Sequence, residues 1–431
     1  MGKTITEKVL SRVTGSDVTS GDIIFPEPEL ITVHDWYVVN FDKALQELGI
    51  NELYDPDKLL ICTDHEPVAV SPQASERQKQ VREIVKKYGI KNFFDSGRGG
   101  HGHIFPVEMG YVKPGMFIEA YDVHVTNFGA VGALAIPILI EITEVLACGS
   151  VWLRTPDTVR VNLIGNLLPG TGIRDVAQKL ICDLGADRVD YAVVEYGGPA
   201  LASIDIAGRH TLCNTPIDIG AKSVLVEPDQ ETVNYLVERV QGNIELIASD
   251  PDANFREIVE YNLTEIEPQI AVPPTPDCVV DVSEVTGKPV HHAFIGSCAA
   301  ANLSDLQVAA EIIRGQNIHP DVRFIITPGT QEVMAAAETS GLLKLFTEAG
   351  AMITQPGCGP CAGGRIGGMA NGETSINTGT RNDYGRLGAP NADIYLGSAA
   401  TVAASAITGR ITDPREFLSS ITRITEDREL L

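Results

Sequence analysis

The chain has 431 residues, 44% hydrophobic and 21% charged, with a formal net charge of -24. That length allows two or three domains and a core large enough to need no disulfide framework. The acidic balance argues against nucleic acid and anionic membrane as partners, because both are gripped through clustered Lys and Arg.

The opening "MGKTITEKVLSRVTG" has no apolar signal core. Met-Gly with Thr6 formally fits an acylation pattern. Thr4 and Glu7 instead make a T-x-x-E capping box that opens a helix. Farther on, "KLLICTDH" reads as a strand, "ERQKQVREIVKKYG" as a helix and "NFFDSG" as a strand. The longest apolar run, "FGAVGALAIPILI", is too short to span a bilayer. Later, "HHAFIGSC", "LSDLQVAAEIIRG", "RFIITPGT", "QEVMAAAETSGLLKLFTEAG" and "AMITQPGC" continue the strand–helix alternation. The pattern predicts an α/β protein with largely parallel sheets. "IAVPPTPDC" (270–278) reads as a linker and "LRTPDT" (153–158) as a softer boundary. Three α/β segments follow: 1–155, 156–272 and 273–431. The expected compartment is reducing and cytoplasmic.

Eight cysteines are spread along the chain, which does not suit a secreted disulfide scaffold. Cys148 and Cys182 fall in apolar helical patterns and read as core. Cys62 ends a strand, and Cys213 and Cys278 stand alone. Cys298 follows one predicted strand, before a helix that Asn302 or Ser304 caps. Cys358 and Cys361, in "PGCGPC", follow another. Loops after parallel strands are where α/β proteins place their sites. A dithiol redox pair, part of a zinc site and part of an iron–sulfur site all remain open from this spacing. Zinc would need a fourth ligand, and His291 and His292 both read as strand residues.

The ordered motifs "CTDH", "VVEYGGP", "IGSC", "PGCGPC" and "RNDYGR" resemble the aconitase superfamily, most closely the large subunits of the 3-isopropylmalate dehydratase type. The likeness implies a fold of three α/β/α domains that lacks the swivel domain of single-chain aconitases. It implies a [4Fe-4S] cluster held by Cys298, Cys358 and Cys361, with one iron open to act as a Lewis acid. It further implies loss or gain of water on a small-molecule 2-hydroxy dicarboxylate, an alkylmalate. The acid–base residues would be Asp64, His65, His103, Asp122, His124 and Glu195, with His101 as a neighbouring decoy. Arg381 and Arg386 would bind substrate carboxylates, as planar guanidinium forks do.

The chain departs from the family pattern at Val123, Asn127, Ala299, Ala300 and Thr380. Those departures turn attention to 2,3-dimethylmalate, (R)-2-methylmalate and homoaconitate-type acids as alternative substrates. The family's proton-abstracting serine lies on the swivel domain, and Ser419 and Ser420 match it poorly. A separate small, swivel-domain subunit is therefore expected as partner. Two other readings compete: a non-catalytic metal-binding descendant, and an RNA-binding switch. The retained Asp64-His65, Glu195 and Arg381/Arg386 set weighs against the first, and the acidity against the second.

Overall fold

The computed structural model describes residues 2–417; Ser419 and Ser420 lie outside the described residues. The chain forms two compact units, residues 1–164 with 186–261, and residues 165–185 with 262–431. Both are mixed α/β, the class that the alternating pattern predicts.

The first unit is built on two larger sheets, beside a two-stranded pair of Ile23–Ile24 with Leu153–Arg154. One has five parallel strands in the order Asn92–Phe94, Leu59–Cys62, Leu30–His34, Phe117–Tyr121, Leu134–Pro137. Alternate residues face opposite sides of a strand. Ile31, Val33, Ile61 and Phe117 thus pack on Phe41, Leu45 and Val81 of the helices Asp35–Glu47 and Pro72–Tyr88. Leu30, Leu60, Ile118 and Ala120 pack on the other side with Phe105, Phe128 and Val131. Covering both faces is what an all-parallel sheet requires. The other sheet runs Ser223–Val226, Val193–Gly197, Thr158–Ile164, Glu257–Asn262. Thr4 caps the helix Ile5–Thr14 with Glu7 in a reciprocal box, as the T-x-x-E spacing predicts.

A 3-10 segment, Val123–Val131, presses against the second sheet. A Cβ at Gly129 would overlap the carbonyl oxygen of Val224. Gly129→Ala should therefore cost roughly 1–3 kcal/mol, the usual price of overpacking. Urea denaturation checks this, with a lowered midpoint and an unchanged slope as the expected result.

The second unit holds a seven-stranded sheet in the order Val279–Asp281, Gln269–Ala271, Asp393–Gly397, Thr374–Asn377, His292–Ile295, Arg323–Ile326, Met352–Ile353. The last five strands are parallel. Gln269–Ala271 runs antiparallel to both of its neighbours. The expected linker 270–278 is therefore the turn of an antiparallel pair within this sheet and joins no separate bodies. The long helical pattern 331–350 divides into Gln331–Thr339 and Leu342–Ala349, because Gly341 takes a left-handed φ of 76° between them. Asn302 occupies the N-cap of Leu303–Ile313, and Asp305 Oδ2 accepts from its backbone amide at 3.0 Å.

The helix Ile173–Leu184 belongs to this unit although it lies far upstream in the chain. Three polar side chains near its start tie it there. Arg174 donates to Gly379 O, Gln178 donates to Leu396 O, and Asp175 accepts from Gln269 N, at 2.7, 2.7 and 2.9 Å. Cys182 on this helix and Cys148 at the end of Ile142–Cys148 are exposed. The expectation of both as core residues is corrected: each falls on the solvent side of an amphipathic helix, where a small apolar thiol is tolerated. No helix among the described residues is long and apolar enough to cross a membrane.

Candidate active site

In the first unit, four loops leave the carboxyl ends of the five-stranded sheet and carry acid–base side chains. Leu30–His34 leads to Asp35, Leu59–Cys62 to Asp64 and His65, Asn92–Phe94 to His101 and His103, and Phe117–Tyr121 to Asp122 and His124. Because the strands are parallel, these loops share one edge.

Asp64 and His65 form the tightest pair, with Oδ1 of Asp64 at 2.7 Å from Nδ1 of His65. Asp35 Oδ1 accepts the His65 backbone amide at 3.2 Å and stands 3.8 Å from its Nδ1. Burial by itself strips the proton from an imidazole. Here the Asp64 charge and hydrogen bond outweigh burial and push His65 up to about 9. The Asp64 carboxyl is correspondingly held far below the usual range, against its own burial, by His65 and then His101. Burial raises Asp35 to about 6. The His34 ring stacks on His65 at 4.1 Å, and Trp36 closes another side at 4.7 Å.

A second cluster centres on Asp122. Its Oδ1 is 3.7 Å from His103 Nε2 and 3.6 Å from His124 Nδ1, and its Oδ2 is 3.8 Å from His34 Nε2. His124 Nε2 faces Asp218 Oδ2 at 3.6 Å. Burial is again opposed by carboxylates at His124, which rises to about 9. Burial prevails at His34 and His101, both lowered to about 3, and it also lowers His103. The two clusters meet, since ligand-type atoms of His34, His65 and Asp122 lie within 4.8 Å of one another. The group thus sets two imidazoles raised by carboxylates, His65 and His124, among others lowered by burial.

Five of the six expected acid–base residues are gathered here: Asp64, His65, His103, Asp122 and His124. His101, read from the sequence as a neighbouring decoy, lies beside the same group, its Nδ1 3.6 Å from Asp64 Oδ2 and its ring 5.1 Å from that of His103. Glu195 makes different contacts. It is fully buried on Val193–Gly197, paired with Arg160 at 2.6 Å and accepting from Ser249 Oγ at 2.8 and 2.9 Å. Burial raises its carboxyl, against those two partners. His34, Asp35 and Asp218 were missed. Only the polar His-Asp step in "LITVHDW", where an apolar strand ends, signals the first two.

In the second unit, Cys298, Cys358 and Cys361 are all buried. They sit on loops after His292–Ile295 and Met352–Ile353, two strands of the same parallel run. Arg381 and Arg386 lie on the loop after Thr374–Asn377. Gly296 and Gly359 both crowd Phe294 and Thr327, so the two cysteine loops close on the same pair of side chains. The neighbouring turn is pinned by Ser297 Oγ donating to Thr378 O at 3.0 Å and by Gly379 N donating to Asn377 Oδ1 at 2.8 Å. Arg386 Nη2 and Thr380 Oγ1 approach Cys361 Sγ at 3.7 Å each. Burial would raise that thiol, but the Arg386 charge and these contacts hold it below its ordinary value. Arg381 is about half exposed and pairs with Asp383 at 2.9 Å. Such a surface pair is worth little and exchanges readily for another carboxylate.

Three buried sulfurs, one of them (Cys361) biased toward thiolate, suit an iron–sulfur cluster, whose ligands bind different irons. A tetrahedral zinc would draw its sulfurs to about 4 Å from one another. Among the described residues, no trio of metal-ligating atoms drawn from this unit alone lies within 4.8 Å of one another.

A parallel α/β protein with a buried imidazole–carboxylate group and a three-cysteine set is the class these features define. The chain matches the aconitase family (aconitate hydratase) over residues 57–289 and 281–409, and it belongs to that family. It is 40% identical to the 3-isopropylmalate dehydratase large subunit 1 of Methanopyrus kandleri, over 97% of this chain and 100% of that protein. It is 38% identical to the corresponding large subunit 1 of Archaeoglobus fulgidus and 35% identical to the large subunit of Moorella thermoacetica, each over 97% of this chain and 100% of the relative. Membership in this family implies an iron–sulfur cluster.

Proposed function

We propose that this chain is the large, cluster-bearing subunit of a cytoplasmic hydro-lyase or isomerase that removes or adds water on a 2-hydroxy dicarboxylic acid, 3-isopropylmalate or a close alkylmalate. The observation that carries this reading is the buried His65–Asp64 pair, 2.7 Å apart on the carboxyl edge of a parallel sheet, in which the carboxylate raises the imidazole to about 9. End-to-end likeness to 3-isopropylmalate dehydratase large subunits supports the substrate class.

Removing water from a hydroxy acid needs an acid for the departing oxygen, a base for the neighbouring C–H, and charge stabilisation. His65 supplies the acid. Asp64 fixes its Nδ1, which leaves Nε2 as the nitrogen that delivers the proton. Arg381 and Arg386 bind the substrate carboxylates and orient the chain of the substrate. Cys298, Cys358 and Cys361 would hold a [4Fe-4S] cluster, which when bound supplies a Lewis acid for an oxygen of the substrate. The base is assigned to a separate small subunit, in keeping with the end-to-end likeness to the large subunits of a dehydratase.

Anaerobically purified chain, mixed with candidate small subunits, should form alkene absorbance from 3-isopropylmalate only when both chains are present. 2,3-Dimethylmalate, (R)-2-methylmalate and homocitrate-type acids complete the panel, and preference for one of them redirects the substrate within the same class. Turnover by the large chain alone would overturn the two-subunit reading. Colourless protein with stoichiometric zinc would overturn the hydro-lyase reading in favour of a metal-binding descendant.

A further inference from the structure

We propose that the outer face of the ribbon formed by Ile23–Ile24 and Leu153–Arg154 is a self-association surface, on which a second copy of this chain docks about a two-fold axis. The surface belongs to the first unit and lies apart from the acid–base group. Only the choice of a second copy over a small subunit leans on the hydro-lyase reading.

The two strands pair antiparallel, with Ile23 opposite Arg154 and Ile24 opposite Leu153. Side chains alternate between the two faces of such a ribbon. Leu153 is buried in the core of the first unit, and Ile24 packs against that core. Ile23, Phe25 and Trp152 turn the other way and are 68%, 68% and 58% exposed. One register step beyond Ile24 and Leu153 sets Phe25 opposite Trp152. Tyr54, 55% exposed, adjoins them: its hydroxyl reaches Glu27 at 3.4 Å, and its ring fills the space a Cβ on Gly149 would take. An antiparallel pair with one buried face normally turns polar side chains to water on the other. Here the water face carries four large apolar side chains, on the order of 400 Å² at the usual size of buried aromatics. Contiguous apolar surface of that extent marks an interaction site.

The ribbon sits at the amino edge of the five-stranded sheet. Phe25 leads into the start of Leu30–His34, where Glu29 N donates to Phe117 O at 2.9 Å, and Tyr54 precedes the start of Leu59–Cys62. The acid–base side chains stand on loops at the opposite, carboxyl edge. A small subunit that supplies a base has to reach that carboxyl edge, which leaves the ribbon to another occupant. Charge then selects a second copy. At a net charge of -24, two copies repel over most of their surface, so they can meet only where the surface is uncharged or locally complementary. The ribbon face has an apolar centre, with Arg154 beside Ile23 at one end and the exposed Glu27 beyond Phe25 at the other. A two-fold axis through the centre brings Arg154 of each copy to Glu27 of the other. Arg154 makes no ion pair among the described residues, and Glu27 already holds one cation, Lys58. Two such faces with their polar rims reach the roughly 1,000 Å² in total that a specific interface needs.

Sedimentation velocity of the full chain tests the proposal without any turnover. The chain should run as a dimer at roughly 100 μM and dissociate on dilution. Trp152→Ala should weaken association at least about thirtyfold, as loss of a central aromatic anchor does. Its thermal midpoint in dilute solution should match wild type, which separates a docking effect from unfolding. Arg154→Glu and Glu27→Lys should each weaken the dimer, and the double variant should restore it, because only copies related by that two-fold axis exchange these charges. A wild-type chain that stays monomeric, a dimer indifferent to Trp152→Ala, or a double variant without rescue would overturn the proposal. A candidate small subunit should bind the Trp152→Ala chain as tightly as wild type. Loss of that binding would assign the face to the small subunit and end the self-association reading. Failure of the hydro-lyase reading appears only as absent turnover and leaves the sedimentation result untouched.

Discussion

Asp64→Asn lowers kcat of the reconstituted enzyme about 10²–10⁴-fold, the usual worth of a positioned general acid, and moves the alkaline limb of its pH profile downward. Asn keeps the shape and still accepts the Gly102 amide that Asp64 Oδ2 takes at 2.8 Å. What it loses is the charge. His65 is buried, and burial alone favours its neutral form; Asp64 is the chief group that reverses this and holds the imidazole at about 9. Asp35, 3.8 Å away, also favours the charged imidazole, but less than Asp64 does. In the variant the proton is lost within the working range. The stability signature has a definite sign. The raised His65 value means that the pair's contribution is complete below about pH 6.5 and disappears as pH climbs through about 9. Wild type and variant should therefore converge in thermal midpoint at high pH. A pH–rate profile whose alkaline limb does not move would contradict the assignment of His65 as the acid.

Replacing Cys298, Cys358 or Cys361 singly by Ser should abolish turnover and deplete iron and labile sulfide from anaerobically purified protein, while the fold persists. The three sulfurs are buried, and Cys361 is biased toward thiolate by Arg386 at 3.7 Å. A cluster that loses one of three protein ligands is not retained. The control is Cys62→Ser. Cys62 is also buried, but burial and nearby carboxylates raise its thiol well above the ordinary value, which makes it a poor ligand. Iron content should be unchanged there. Metal analysis and visible absorbance read both outcomes, and full iron retention in a Cys361→Ser chain would end the cluster assignment.

Much of the local chemistry was legible in the linear chain. Asp64 and His65 are adjacent, Cys358 and Cys361 share one turn, and the five-residue step from Arg381 to Arg386 spans one loop. Motifs of this kind survive any tertiary arrangement. Alternation of β-branched runs with 3.6-residue periodicity likewise predicted parallel α/β layers. Two readings failed for a common reason. Cys148 and Cys182 lie in apolar patterns yet face solvent, and 270–278 looks like a linker yet turns a strand pair, because a local pattern does not say which neighbour will cover it.

The sequence by itself determined that this chain would be a parallel α/β member of the aconitase family with thiols and an Asp-His pair on loops after strands, since those traits depend on residues close together in the chain. Only the tertiary structure decided that His34, Asp35 and His101 join that pair, that Asp218 faces His124, that Glu195 is claimed by Arg160 and Ser249, and that Ile173–Leu184 belongs with the cysteine sheet. Each of those outcomes depends on strand order or on the packing of segments distant in the chain. Burial and neighbouring charge then set the protonation of every group, and neither can be read until the chain has folded.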